Sequence, residues 1–224
     1  MGTTYSTLLS QVRTRLGETS ALEWTDATLI NYISRAEVWL ARMLAKIRNS
    51  GRFQYQEQET LASGSSVILW SAMTKRFDVV RKIEMLLPGG WWSDPLTEIY
   101  EMQENQWTGP TTATYGGLVV PGYIVREPDF IFLPIANEAR TLRFTYNWLP
   151  ATGKTSVSTA DTPVDYDDML ELRAIHFALA DVGETNKSFE DEYSSRIAEI
   201  EEIECMRSHG GGGERVVMTG TRLW

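Results

Sequence analysis

The chain has 224 residues, a formal net charge of −9, 42% hydrophobic and 23% charged residues, and one cysteine. That length suffices for one good core, or for a core with a small satellite domain. The lone Cys205 excludes an internal disulfide and any cysteine-rich metal site. No apolar run approaches the ~20 residues of a membrane span, and Met1–Ser6 has neither the basic nor the apolar region of a signal peptide, so no membrane association is expected and the origin reads as cytosolic.

Tyr5, Leu8, Leu9, Val12 and Leu16 fall on one stripe and predict a helix over 5–16 that Gly17 stops. Trp24-Thr25-Asp26 then opens a longer helix, with Thr25 as N-cap and Asp26 in the first turn. Its apolar positions are Leu29, Ile30, Ile33, Ala36, Leu40, Leu44 and Ile47; Arg42, Lys46 and Arg48 gather near its C-terminus and Gly51 ends it.

From 53 to 150 the pattern becomes β. Short β-branched or aromatic runs occur at 67–70, 77–85, 122–126, 129–133 and 142–148. Turn signals at Glu127-Pro128 and Ala136-Asn137-Glu138 make the last three an antiparallel meander. Asp94 as N-cap and Pro95 at the first position predict one short helix running down to Trp107. A polar linker, 151–162, leads to two more helices. One runs over 163–182 with Met169, Leu170, Ala174, Phe177 and Ala178. The other is capped by Ser188, continues to about Arg207, and turns Phe189, Tyr193, Ile197, Ile200 and Ile203 inward.

Residues 208–224 close the chain. Gly210–Gly213 reads as a flexible tether. Beyond it Arg215, Val216, Val217, Met218, Arg222, Leu223 and Trp224 carry far more apolar surface than a loose terminus ordinarily does, so this arm is expected to dock on a neighbouring chain. The sequence thus divides into a helix pair (1–52), a β-rich insertion (53–150), a linker (151–162), a second helix pair (163–207) and the arm (208–224). The expected fold is α+β: a mainly α-helical bundle with a small inserted antiparallel β domain and an extended C-terminal arm.

Charge is unevenly placed. Residues 1–52 hold seven Lys/Arg against four acids, and residues 161–204 hold fourteen acids against three bases, a balance of −11. An acidic face repels DNA phosphates and can orient a partner or line a passage to which DNA must not adhere; a solvated surface of two helices accounts for it as well. Glu171, Asp181, Glu199, Glu201 and Glu202 are the candidate channel-lining or partner-facing acids. Adjacent Trp91 and Trp92, after Gly89-Gly90, sit at a loop or strand tip, with one expected to pack into the β core and the other to be exposed, and leave two readings open, core packing and an interface with a subunit or a tail component.

Catalytic patterns are weak. Gly153-Lys154-Thr155 resembles the end of a phosphate-binding loop, but the position that needs glycine is Trp148 and no helix opens at the Lys-Thr. Asp165, Asp167 and Asp168 crowd a helix start without the glycine and glutamate of a calcium loop. His176 and His209 lack any nucleophile context. No cofactor, metal or enzymatic activity is expected.

The series Tyr5…Leu8-Leu9…Val12…Leu16, then Trp24-Thr25-Asp26…Leu29-Ile30…Tyr32-Ile33…Ala36-Glu37…Leu40, resembles the start of head-to-tail adaptor (connector, head-completion) proteins of tailed bacteriophages. Thr162-Pro163…Tyr166…Leu170…Ala174…Ala178-Leu179-Ala180 is similar in reopening a helix pair after a β insertion, and the terminal arm fits too. The resemblance implies a non-enzymatic virion protein at the head-tail junction, present in the host cytoplasm during assembly. It implies a ring, usually of twelve copies, beneath the portal protein, which extends the DNA channel and presents a platform for the tail, nozzle or tail fibres. Genomic DNA would pass without specific binding, and residues 214–224 would reach the portal. A stopper or tail-tube ring further down the neck, and a non-viral protein-binding module, are the rival readings.

Overall fold

The computed structural model describes residues 2–18, 23–46, 53–99, 114–115, 118–119, 121–184 and 186–209. The chain divides into two compact units, one formed by residues up to Phe53 and from Pro150 onward, the other by Gln54–Leu149.

The first unit is helical. Helix α1 (Tyr5–Leu16) is capped by Thr4, whose hydroxyl accepts the Thr7 N–H, and ends at Gly17 in the left-handed region at φ 72°. Helix α2 (Asp26–Lys46) begins where the Thr25 hydroxyl accepts the Thr28 N–H at 3.2 Å. Arg13 closes the connection between them: it pairs with Glu18 at 2.9 Å and Asp26 at 2.6 Å and donates to the Trp24 carbonyl. After a 3₁₀ turn at Val164–Tyr166 come α3 (Asp167–Asp181) and α4 (Lys187–His209). The cap of α4 is Asn186, whose side chain accepts the Ser188 N–H; Ser188 itself lies in the first turn. Helix α3 buries Met169, Leu170, Leu172, Ala174, Ile175 and Ala178, and α4 lays Ile200 on the core.

The stretch 151–162 is tied to residues 3–6 by backbone hydrogen bonds, though most of its side chains are exposed. Thr4 bridges Thr159, Tyr5 and Ser6 N–H donate to the Ser158 and Ser156 carbonyls at 2.9 Å, and Ala160 N–H donates to the Thr3 carbonyl. At its centre is Glu37, fully buried on the apolar face of α2. One carboxylate oxygen accepts the Asp161 and Thr162 N–H groups; the other accepts the Tyr5 hydroxyl at 2.8 Å and lies 3.9 Å from the Lys154 ammonium.

The second unit holds two three-stranded antiparallel sheets. Strands β1 (Gln54–Leu61), β8 (Arg140–Trp148) and β3 (Phe77–Met85) form one, with β8 central. Strands β2 (Val67–Leu69), β7 (Asp129–Leu133) and β6 (Gly122–Arg126) form the other, with β7 central, and β4 (Thr114–Tyr115) pairs with β5 (Leu118–Val119). Aromatic rings fill the interior between the two sheets: Phe130 meets Phe77 edge-to-face at 5.1 Å and lies tilted against Phe144 at 5.2 Å, and Trp70 lies tilted against Phe77 at 4.8 Å. The edge-to-face pair adds to area burial through its geometry.

Three expectations are corrected. Of the described residues 42% are helical and 26% extended, too much sheet for a mainly helical bundle. The last three β runs are no meander: β6 and β7 form a hairpin, but β8 leaves it to become the central strand of the other sheet. Residues 94–99 are extended, with Ile99 N–H donating to the Tyr123 carbonyl, so the short helix does not start at Asp94; its remainder, 100–107, lies outside the described residues.

Burial pushes the Glu37 carboxyl above the usual carboxylate range, opposed by the Tyr5 hydroxyl, Lys154 and the Thr162 N–H, and reinforced by Asp161. The folded chain therefore holds this proton to higher pH than the unfolded chain. The contribution of this site to stability is fully present below the ordinary glutamate pKa and is lost as pH rises through the raised value. Glu37→Gln, which can still accept from the backbone and donate to Tyr5, is expected to stay within about 1 kcal/mol of the parent and to flatten that decline. Glu37→Leu strands the Tyr5 hydroxyl and two N–H groups and is expected to cost about 3–5 kcal/mol. Urea unfolding across pH 4–8 measures both.

Candidate partner-binding surfaces

The Trp91 turn is built by the end of β3. After Met85 the chain reverses through Leu87-Pro88-Gly89-Gly90: Gly90 N–H donates to the Leu87 carbonyl at 3.1 Å and Leu87 N–H to the Trp91 carbonyl at 2.8 Å. Gly89 and Gly90 have φ of 103° and 85°, which side chains rarely adopt. The returning chain is stitched to the β3 edge, since Ser93 N–H donates to the Met85 carbonyl, Met85 N–H to the Ser93 hydroxyl, and Leu96 N–H to the Ile83 carbonyl. Trp92 bridges Leu86 and lies half-buried beneath the Arg143 guanidinium, 4.2 Å from its centroid. Glu84 fixes Arg143 at 2.8 Å. Trp91 stands clear, 76% exposed. The two tryptophans therefore divide, one covered by a cation and one turned to solvent.

The five candidate acids do not share one surface. Glu171 is buried, and Arg15 pairs with it at 3.1 Å and with Glu192 at 3.0 Å. Burial raises its carboxyl above the usual range, and Arg15 opposes that. It is a packing residue and cannot face a channel. Asp181 is exposed, and burial together with the Asp181 carboxylate pushes the Tyr32 hydroxyl above its ordinary range. Glu199 pairs with Arg196, which also holds Asp168 at 2.6 Å. Glu201 and Glu202 are exposed on α4 and, with Glu190 and Asp191, have no cation within ion-pair distance among the described residues. Arg215, Val216, Val217, Met218, Arg222, Leu223 and Trp224 lie outside the described residues.

The residues weighed for catalysis have packing roles. Lys154 binds Asp161 at 2.8 Å and the Thr159 carbonyl at 3.0 Å. Asp167 accepts the Thr3 hydroxyl, and Asp168 accepts the Met169 N–H. His176 stacks on Tyr193 with centroids 6.0 Å apart. Among the described residues no three His, Cys, Asp or Glu side chains converge as metal ligands.

The family described as SU10 adaptor protein matches residues 3–214. The chain belongs to the SU10 adaptor protein family. No curated protein matches it. Membership makes it a phage adaptor, a structural virion component with a non-enzymatic role that interacts with other head and tail proteins of the particle.

Sequence reading missed the clamp on Trp92. Arg143 and Glu84 sit opposite each other on β8 and β3, a cross-strand pair visible only once the register is known. For this SU10-family adaptor, Trp91→Ala is expected to change stability by no more than about 0.5 kcal/mol. Trp92→Ala should cost about 1–3 kcal/mol in lost packing and cation–π contact. Thermal unfolding of the two variants checks the contrast.

Proposed function

We propose that this SU10-family adaptor forms a ring, of twelve copies, beneath the portal protein, extending the DNA channel and presenting the platform on which tail, nozzle or tail-fibre proteins assemble. The observation that carries the reading is the family match over residues 3–214, supported by two surfaces suited to contact. Trp91, held outward by a glycine turn that is pinned at both ends, is an anchor whose ordering cost is small before a partner arrives. The outer face of α4, with Glu190, Asp191, Glu201 and Glu202, disfavours phosphate contact, so DNA passes without adhering. The arm from Arg215 to Trp224 is the docking segment toward a neighbouring chain.

A ring seated on a portal joins many identical weak contacts, so avidity replaces affinity. The free chain is therefore expected to sediment as a monomer or weak oligomer at micromolar concentration and to appear as a ring in electron micrographs of portal-bearing heads. A stable twelve-copy ring without portal, or heads that never acquire one, would contradict this. The free chain should also show no tight, salt-sensitive binding of double-stranded DNA at low salt; such binding, lost on mutating Arg42 and Lys46, would assign DNA contact to α2 instead.

A further inference from the structure

The two sheets of the β unit have four edges, and the fold treats them unequally. Residues 93–96 cover the Ile83–Met85 end of the β3 edge, and residues 97–99 cover the β6 edge at Tyr123, with which they exchange hydrogen bonds. The β2 edge is only three residues long. The β1 edge is eight residues long, and no described residue covers it.

Register identifies which of its groups are open. Leu86 N–H donates to the Thr141 carbonyl, so the odd-numbered residues of β8 turn their backbone groups toward β3. The even-numbered residues, Arg140, Leu142, Phe144 and Tyr146, therefore turn toward β1, where they face Leu61, Glu59, Glu57 and Tyr55. The N–H and C=O groups of Gln54, Gln56, Gln58 and Thr60 point outward, and no described residue bonds to them. Edges of this length are normally blunted by proline, lysine or a bulge. Gln54–Leu61 contains no proline and no basic residue, and its pairing runs without a register shift.

The charge beside this edge selects the occupant. Glu57 accepts the Thr74 N–H and the Tyr146 hydroxyl. Glu59, half-buried on the same face of β1, has no side-chain hydrogen bond or ion pair among the described residues. Pairing of two β1 strands would bring these carboxylates together and is disfavoured. An incoming strand that carries arginine among β-branched residues is favoured. Arg215-Val216-Val217-Met218-Thr219 is such a segment, tethered by Gly210–Gly213 to the end of α4, with Arg222 three residues further on. Five extended residues span ~17 Å, within the length of the open edge.

We infer that the β1 edge receives residues 215–219 of a second copy as an added strand, so that each subunit of the assembly laces into its neighbour. This rests on the ring reading above and supplies a subunit contact for it.

The experiment uses the full chain in a Cys205→Ser background on portal-bearing heads. Copies carrying Gln58→Cys are mixed with differently tagged copies carrying Val217→Cys, and Ser71→Cys, exposed but off the edge, replaces Gln58→Cys as control. The expected result is a reducible two-chain species bearing both tags, at least tenfold above control. A second variant, Gln58→Pro, removes an outward N–H that the ladder with β8 does not use; it should keep the parent melting temperature within a few degrees yet weaken ring formation at least tenfold, while Gln58→Ala should not. Cross-links of the arm only to the portal, a two-tag species no more abundant than in the control, or ring formation by a folded Gln58→Pro variant at the parent level would each overturn the inference. Rings without the two-tag species would sink the inference and leave the ring reading standing; heads that acquire no ring would sink both.

Discussion

The helical unit depends on one buried carboxylate. Glu37 sits in the apolar stripe of α2, where a charge without partners would be strongly disfavoured. Its environment supplies them from two distant parts of the chain: the Tyr5 hydroxyl of α1, and, from the stretch 151–162, the backbone N–H groups of residues 161 and 162 and the Lys154 ammonium. Each is held in turn, Tyr5 by its pairing with Ser158 and Lys154 by Asp161 and Thr159. Apolar burial supplies most of the stabilisation of the unit, but it is indifferent to register. The Glu37 network specifies which segment lies against which.

The β unit solves a different problem, presenting surface without losing order. Its interior of aromatic rings fixes the two sheets, and returning chain segments close the β3 and β6 edges. The exposed tryptophan is thus carried by a turn with no spare freedom. The Arg143–Glu84 pair matters here because it holds Trp92, and with it the backbone from which Trp91 projects.

Helices were legible because their signals are local. The stripe of Tyr5, Leu8 and Val12, the Thr25 cap and the Gly17 stop each act within a few residues, and the structure places them as read. Strand β1 was not legible: Gln54-Tyr55-Gln56-Glu57-Gln58-Glu59 alternates between exposed and half-buried, yet only tyrosine among these residues is a strand former, so the strand owes its existence to β8. The β6–β7–β8 meander failed because turn residues predict a reversal and not the next neighbour, and β8 pairs with β1 and β3 instead. Among the site residues, the exposure of Trp91 and the cover over Trp92 required the cross-strand register, and the burial of Glu171 required Arg15, 156 positions away in sequence and adjacent only in the fold.

The pairing of residues 3–6 with 156–160 also bears on synthesis. A chain emerging from the ribosome exposes α1 and α2 first, yet the backbone partners of Thr3, Tyr5 and Ser6 and the N–H donors to Glu37 are made more than a hundred residues later. Throughout that interval the buried faces of both helices await their cover, and before it ends all described strands of the β unit, the last ending at Trp148, have been made. The nascent protein therefore matures from its middle outward, and its first-made helices are the last to settle.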